Sequence, residues 1–188
     1  MKHFPATTLI LDGIFGSHRR WEGLRRRLEK EVGPASIWRY ANFGNRGLEE
    51  LGEALAQKIS GLAGPVNLVG YSMGGLVVRE ALRCAPHLEV RRVALLCSPH
   101  SGSLVAWCLP LKAVRQMRPR SAFLQRLHAA EWKPQTLAVW CPGDLMVLPS
   151  RSAKWDRAHH IHRCDIPAHA WPIYSKSIHQ KIADFLAT

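Results

Sequence analysis

The chain has 188 residues, 47% of them hydrophobic, which suits a single domain over residues 1–188 with one substantial core. Lys and Arg number 26 against 14 Asp and Glu, a net charge of +12 that favours anionic partners. No run reaches the ~20 apolar residues of a membrane-spanning helix, and no recognition motif accompanies the basic charge, so specific nucleic-acid binding is not expected.

Much of the positive charge lies in 19–30 and 112–126, in predicted helices or their flanks, where charge forms a solvated face; a weak association with an anionic membrane surface is the partner this leaves. The five cysteines are scattered and contain no C-x-x-C pair, so they are expected as small buried hydrophobes, not a disulfide framework or zinc site. The apolar segment at 7–11 is too short for a secretory signal and no small-residue cleavage site follows it, which predicts a cytoplasmic protein.

In chain order, apolar β-type runs alternate with helical patterns, which predicts a mostly parallel sheet of about six strands with helices on both faces. The first strand is expected at 7–12. A helix over 19–31 carries Trp21, Leu24 and Leu28, and a strand follows at 37–42. The stripe Leu48, Leu51, Leu55, Ile59 and Leu62 predicts a helix over 48–62. Then come a strand at 66–71, a helix at 74–84 ended by Pro86, and a strand at 90–97. Between Cys97 and Thr136 lies a long excursion broken by Pro110, Pro119 and Pro134. It is expected to form one or two short helices over one end of the sheet, a small cap at about 101–133. Strands at 136–141 and 160–165 and a helix over 171–186 close the chain. Gly33-Pro34 and Gly64-Pro65 punctuate it as turns, not as domain linkers.

The sharpest motif is Gly70-Tyr71-Ser72-Met73-Gly74, between the strand at 66–71 and the helix at 74–84. A serine on such a strand-to-helix turn needs a tight backbone, and side chains at 70 or 74 would meet neighbouring main chain. The turn lifts the Ser72 hydroxyl to a helix N-terminus, where backbone N–H groups face a developing negative charge. A serine alone is a poor nucleophile and requires a base held by an acid. Asp144, after the strand at 136–141, and His169, after the last strand, occur in the order that serine hydrolases of this strand-turn-helix type use. The C-terminal ends of parallel strands share one rim, so all three are expected to converge there. His100 is the rival base, but it precedes Asp144. Asp165 and Asp156 are rival acids. His160 and His162 would share a strand face as a candidate metal pair, with no supporting carboxylate or thiol spacing. His179 is expected on a helix surface.

Together these residues resemble the α/β-hydrolase superfamily, and most of all the compact lipases and esterases typified by small secreted bacterial lipases. Leu9 to Ser17 is similar to the family's first strand and His-Gly-x-x-Gly loop. Gly70 to Gly75 matches the nucleophile turn, and Ser98-Pro99-His100-Ser101-Gly102-Ser103 resembles a Thr-Pro-His-x-Gly-Ser loop. Arg120 to Leu127 looks like a cap segment, and His169 to Ser177 resembles the catalytic-histidine segment. The resemblance implies a single-domain α/β-hydrolase fold with a Ser72–His169–Asp144 triad. It also implies an oxyanion hole made by the backbone N–H groups of Ile14 and Met73, with Phe15 as the alternative to Ile14. It implies no metal or organic cofactor.

One position departs from the pattern: Asp12 stands where the family usually carries histidine. A carboxylate aimed at the oxyanion would oppose the reaction, so Asp12 is expected to point away, paired with an arginine or backbone N–H groups. On that footing an Asp12→His change is expected to leave activity intact or raise it. Apolar residues near the rim, notably Phe15, Trp107, Met146 and Trp171, suggest a small hydrophobic ester or acyl substrate. The expected activity is carboxylic-ester hydrolysis. Acyl transfer or thioester hydrolysis by the same triad is the alternative, as is a catalytically silent binding module.

Overall fold

Six parallel strands form one sheet in the order β2-β1-β3-β4-β5-β6 in the computed structural model, which describes residues 6–188. The strands are β1 (Thr7–Leu11), β2 (Ala35–Ile37), β3 (Val66–Tyr71), β4 (Val90–Leu96), β5 (Gln135–Trp140) and β6 (His160–Arg163). The central strand β3 is buried at all six positions, as a near-continuous apolar run between two helical layers demands.

One layer contains α2 (Leu48–Ser60) and α3 (Met73–Cys84). It buries Leu51, Leu55, Leu76 and Val77 against Leu9, Leu68 and Val93 of the sheet. The other contains α1 (Glu22–Glu31) and α7 (Lys176–Ala187), with Trp21, Leu24, Leu28, Ile178 and Ile182 against Ile10, Val69 and Val139. The alternation of side chains along each strand feeds both cores at once. Among the described residues no helix is long and apolar enough to cross a membrane.

Three expectations are corrected. The second strand lies at Ala35–Ile37, not 37–42. Thr8 donates its N–H to Pro34 and Trp38 donates to Ile10, so pairing with β1 ends at Trp38. The Trp38 and Tyr40 rings then stack 5.0 Å apart as the chain turns over the sheet's C-terminal edge. The closing helix is two helices, α6 (Trp171–Tyr174) and α7. Ser175 leaves helical geometry between them, and its hydroxyl accepts from the Ile178 N–H as an N-cap. His179 is 6% exposed rather than a surface residue. It faces α1 with Gly23 beside its ring, and Nε2 bonds the Ile173 carbonyl.

The excursion after β4 holds a 3-10 turn at Leu104–Trp107, then α4 (Lys112–Gln116) and α5 (Ala122–Ala129). The last of these packs on the helical layer of α2 and α3. It buries Phe123, Leu124 and Leu127 in the α2–α3 core, and the Arg79 guanidinium of α3 holds its Leu127 carbonyl at 3.0 Å. Of the cysteines, Cys97, Cys141 and Cys164 are buried, whereas Cys84 and Cys108 are exposed; all five are free thiols.

Candidate active site

The strand order reverses direction of growth at β1 and β3, which leaves a crevice at the C-terminal ends of these two strands. Ser72 caps β3 there, with φ 51° and ψ −122°, a strained conformation for a residue with a side chain. Its surroundings impose it. A Cβ at position 70 would come within 2.7 Å of the Gly75 Cα, and one at 74 within 2.6 Å of the Asp12 carbonyl. The chain can pass from strand to helix this tightly only with glycine at both places.

Asp144 sits in the loop after β5, fully buried, and its carboxylate has every side engaged. Oδ1 accepts from the N–H groups of Met146 (2.8 Å) and Val147 (3.1 Å), and Oδ2 faces His169 Nδ1 at 2.7 Å. A carboxylate accepts only, so it selects the His169 tautomer with the proton on Nδ1. That leaves the Nε2 lone pair toward Ser72 Oγ, 3.1 Å away. Tyr71 supports the imidazole from behind. Its ring centroid lies 5.0 Å from that of His169 and its hydroxyl donates to the His169 carbonyl. Burial pushes the Tyr71 phenol well above its usual range, so it stays a donor.

The loop after β1 presents the opposite wall. Asp12 turns away from Ser72: Oδ1 accepts from the Gly13 N–H at 2.7 Å, and Arg20 clamps both oxygens, through Nε at 2.7 Å and Nη2 at 2.5 Å. The expected pairing of Asp12 is therefore found, with arginine and backbone together. Asn42 donates from Nδ2 to the carbonyls of Gly13 and Gly16, and its own carbonyl accepts from the Phe15 N–H at 3.0 Å. This removes Phe15 as a donor toward Ser72. Among the described residues, the N–H groups of Ile14 and of Met73, the first residue of α3, have no intramolecular acceptor.

A cavity of about 280 Å³ opens beside Ser72 and His169. Ile14, Phe15, Leu109, Val114, Met117 and Met146 supply most of its apolar wall. Of the candidate substrate contacts, Phe15 and Met146 line it, while Trp107 and Trp171 stand outside on its exposed margin. Val114 and Met117 were not foreseen, because Pro110 and Pro119 hide the short helix that carries them.

The rivals are placed elsewhere. His100 is buried, stacked on Trp155 at 5.0 Å and beside Arg79. Asp156 and Asp165 are exposed. His159 Nδ1 accepts from the Thr136 N–H, and His160 packs on Phe185. Among the described residues, the group able to converge on a metal is Cys97, Asp144 and His169, which overlaps the Ser72 relay and leaves His160 and His162 out.

A family model described as "Alpha/beta hydrolase family" matches residues 13–184. Among solved structures, the chain is similar to the mature lipase BlEst2 of Bacillus licheniformis, with 18% identity, a TM-score of 0.76, and 98% of this chain and 93% of that one covered. It is similar to the monoacylglycerol lipase of Paleococcus ferrophilus at 15% identity and a TM-score of 0.77, covering 96% and 93%. It is also similar to Aspergillus fumigatus lipase B at 14% identity and a TM-score of 0.82. There all of this chain aligns with 53% of the other. No curated protein sequence matches it.

Proposed function

The chain belongs to the alpha/beta hydrolase family, and we propose that it is a serine hydrolase that cleaves hydrophobic carboxylic esters through an acyl-enzyme. The observation that carries this reading is His169 held between Asp144 at 2.7 Å and Ser72 at 3.1 Å. The carbonyl carbon of a bound ester is attacked by Ser72 Oγ while His169 Nε2 takes the hydroxyl proton. The negative charge that develops on the carbonyl oxygen is met by the N–H groups of Ile14 and Met73. As the tetrahedral intermediate collapses, His169 returns the proton to the departing alkoxide. Water, activated by the same imidazole, then releases the acid. Asp144 stabilises the imidazolium and does not itself take the proton.

The acyl chain lies in the apolar cavity. At about 280 Å³ it is at the small end for a ligand pocket, so it suits one acyl chain of modest length. Arg20 reaches the cavity wall, but its charge is matched by Asp12, which among the described residues leaves the cavity lining no free cation to select an acidic acyl group.

A series of 4-nitrophenyl esters from acetate to palmitate tests the proposal, with Ser72→Ala as control. Turnover is expected to peak at short to medium chains and to vanish in the control. Equal turnover by Ser72→Ala, or none by the folded native chain on any ester, would contradict it.

A further inference from the structure

Among the described residues, the most exposed large apolar side chains gather in one part of the molecule, while Ile161 of the edge strand β6, 40% exposed, lies apart from them. Phe43, Leu104, Trp107, Leu145, Trp171 and Tyr174 are 65%, 56%, 61%, 75%, 37% and 62% exposed. Each belongs to a connection that follows the C-terminal end of a parallel strand: Phe43 after β2, Leu104 and Trp107 after β4, Leu145 after β5, and the last pair after β6. They therefore stand on one rim, around the mouth of the Ser72 cavity, whose Phe15 packs against Phe43 with centroids 6.5 Å apart. Apolar exposure on this scale, gathered on one face, marks an interaction surface.

Charge indicates what it meets. The stretches 38–47, 97–121 and 141–151 contain seven Arg or Lys and one acid, the buried Asp144. Arg39, Arg46, Arg115, Arg118, Arg120 and Arg151 form no ion pair among the described residues. Arg118 lies under the Trp107 ring at 4.3 Å, a cation beside an aromatic plane at the outermost edge. Aromatic and aliphatic tips backed by unpaired guanidinium groups are the complement of acyl chains beneath anionic headgroups.

We propose that this rim docks the enzyme on an anionic lipid bilayer, with Trp107, Leu104 and Leu145 entering the headgroup region and the arginines contacting lipid phosphates. The cavity mouth then opens onto the bilayer, and an ester reaches Ser72 without crossing water. The docking surface stands on exposure and charge alone; only its purpose rests on the function proposed above.

Sedimentation with vesicles tests it, using the full chain at low salt. Binding to phosphatidylcholine vesicles with half phosphatidylglycerol is expected to be ~10-fold or more tighter than to phosphatidylcholine alone, and to weaken as salt rises. Arg46→Glu with Arg151→Glu should weaken it by ~10-fold or more. Leu104→Ser with Leu145→Ser should also weaken it, while hydrolysis of soluble 4-nitrophenyl butyrate stays as in the native chain. Ser72→Ala is expected to bind as the native chain does. A native chain that cleaves the soluble ester but does not sediment overturns the docking surface and leaves the proposed function standing. One that binds but cleaves nothing does the reverse. Equal binding to neutral and anionic vesicles, or a dimer lost in the Leu104 and Leu145 variant with vesicle binding kept, would also overturn it.

Discussion

Asn42 bridges to Gly13 across the turn that carries Ile14, its amide 2.9 Å from the Gly13 carbonyl and 3.0 Å from that of Gly16. With the Phe15 N–H also tied to the Asn42 carbonyl, the Ile14 N–H is the group of this turn left without an acceptor, and it is the donor proposed for the oxyanion. Asn42 touches no substrate; it is a positioning residue. Asn42→Ala is expected to lower kcat by ~10- to 100-fold with little change in KM, because the lost contact matters in the transition state more than in binding. Asn42→Ser, which keeps one short donor, should recover part of the loss. Steady-state kinetics on one soluble ester check this; a change confined to KM would contradict it.

The pairing of Asp12 with Arg20 gives a different prediction for position 12 from the one drawn from sequence alone. A histidine at 12 should be harmless if the carboxylate does nothing. In the structure that carboxylate fixes the Gly13 N–H and neutralises a guanidinium on the cavity wall. Asp12→His would leave Arg20 without its partner and place two potential cations in contact. Since the Arg20 side chain is 26% exposed, the expected loss of stability is modest, about 1–2 kcal/mol. Activity should fall, and Arg20→Gln in the same chain should restore part of both. Denaturant unfolding and ester turnover of the three variants decide it; full activity in Asp12→His would show that the pair is dispensable.

The contrast shows what kinds of feature sequence can carry. Gly70, Ser72 and Gly74 were legible because their roles follow from local backbone sterics, and those residue types express them directly. Asp144 and His169 were legible from order along the chain, since parallel strands bring all their C-terminal ends to one rim. The second strand was misplaced because Trp38 and Tyr40 are good strand formers that instead stack on each other once β1 has no further partner to offer. Asn42 was missed for a related reason: it was read as the last residue of that strand, and its role shows only once Gly13, nearly thirty positions earlier, is seen beside it. The break at Ser175 left a signal, a serine three residues before Ile178, but the apolar pattern ran through it.

His100 makes the fold sensitive to acid. Burial, with the Arg79 guanidinium alongside, holds its imidazole well below the usual histidine range, so the folded protein keeps it neutral. Below about pH 6.5 the unfolded chain takes up a proton that the folded chain refuses, and unfolding becomes easier by about 1.4 kcal/mol per pH unit. This stability is therefore fully present above pH 6.5 and is lost as the pH falls. Burial lowers His128 and His179 as well, which adds to the slope. Urea unfolding between pH 7.5 and 5 should show the decline. His100→Phe, which keeps an aromatic ring against Trp155, should reduce the slope by about one proton. An unchanged slope would place the acid sensitivity elsewhere.

The proposed chemistry requires that the Ser72 hydroxyl be made reactive by His169 and Asp144. Labelling with a fluorophosphonate probe, read by mass spectrometry of the modified peptide, tests it most directly. One adduct is expected, on Ser72, absent in Ser72→Ala and formed ~1000-fold or more slowly in His169→Ala. A folded native chain that takes no label, or that is labelled as fast without the His169 imidazole, would contradict it.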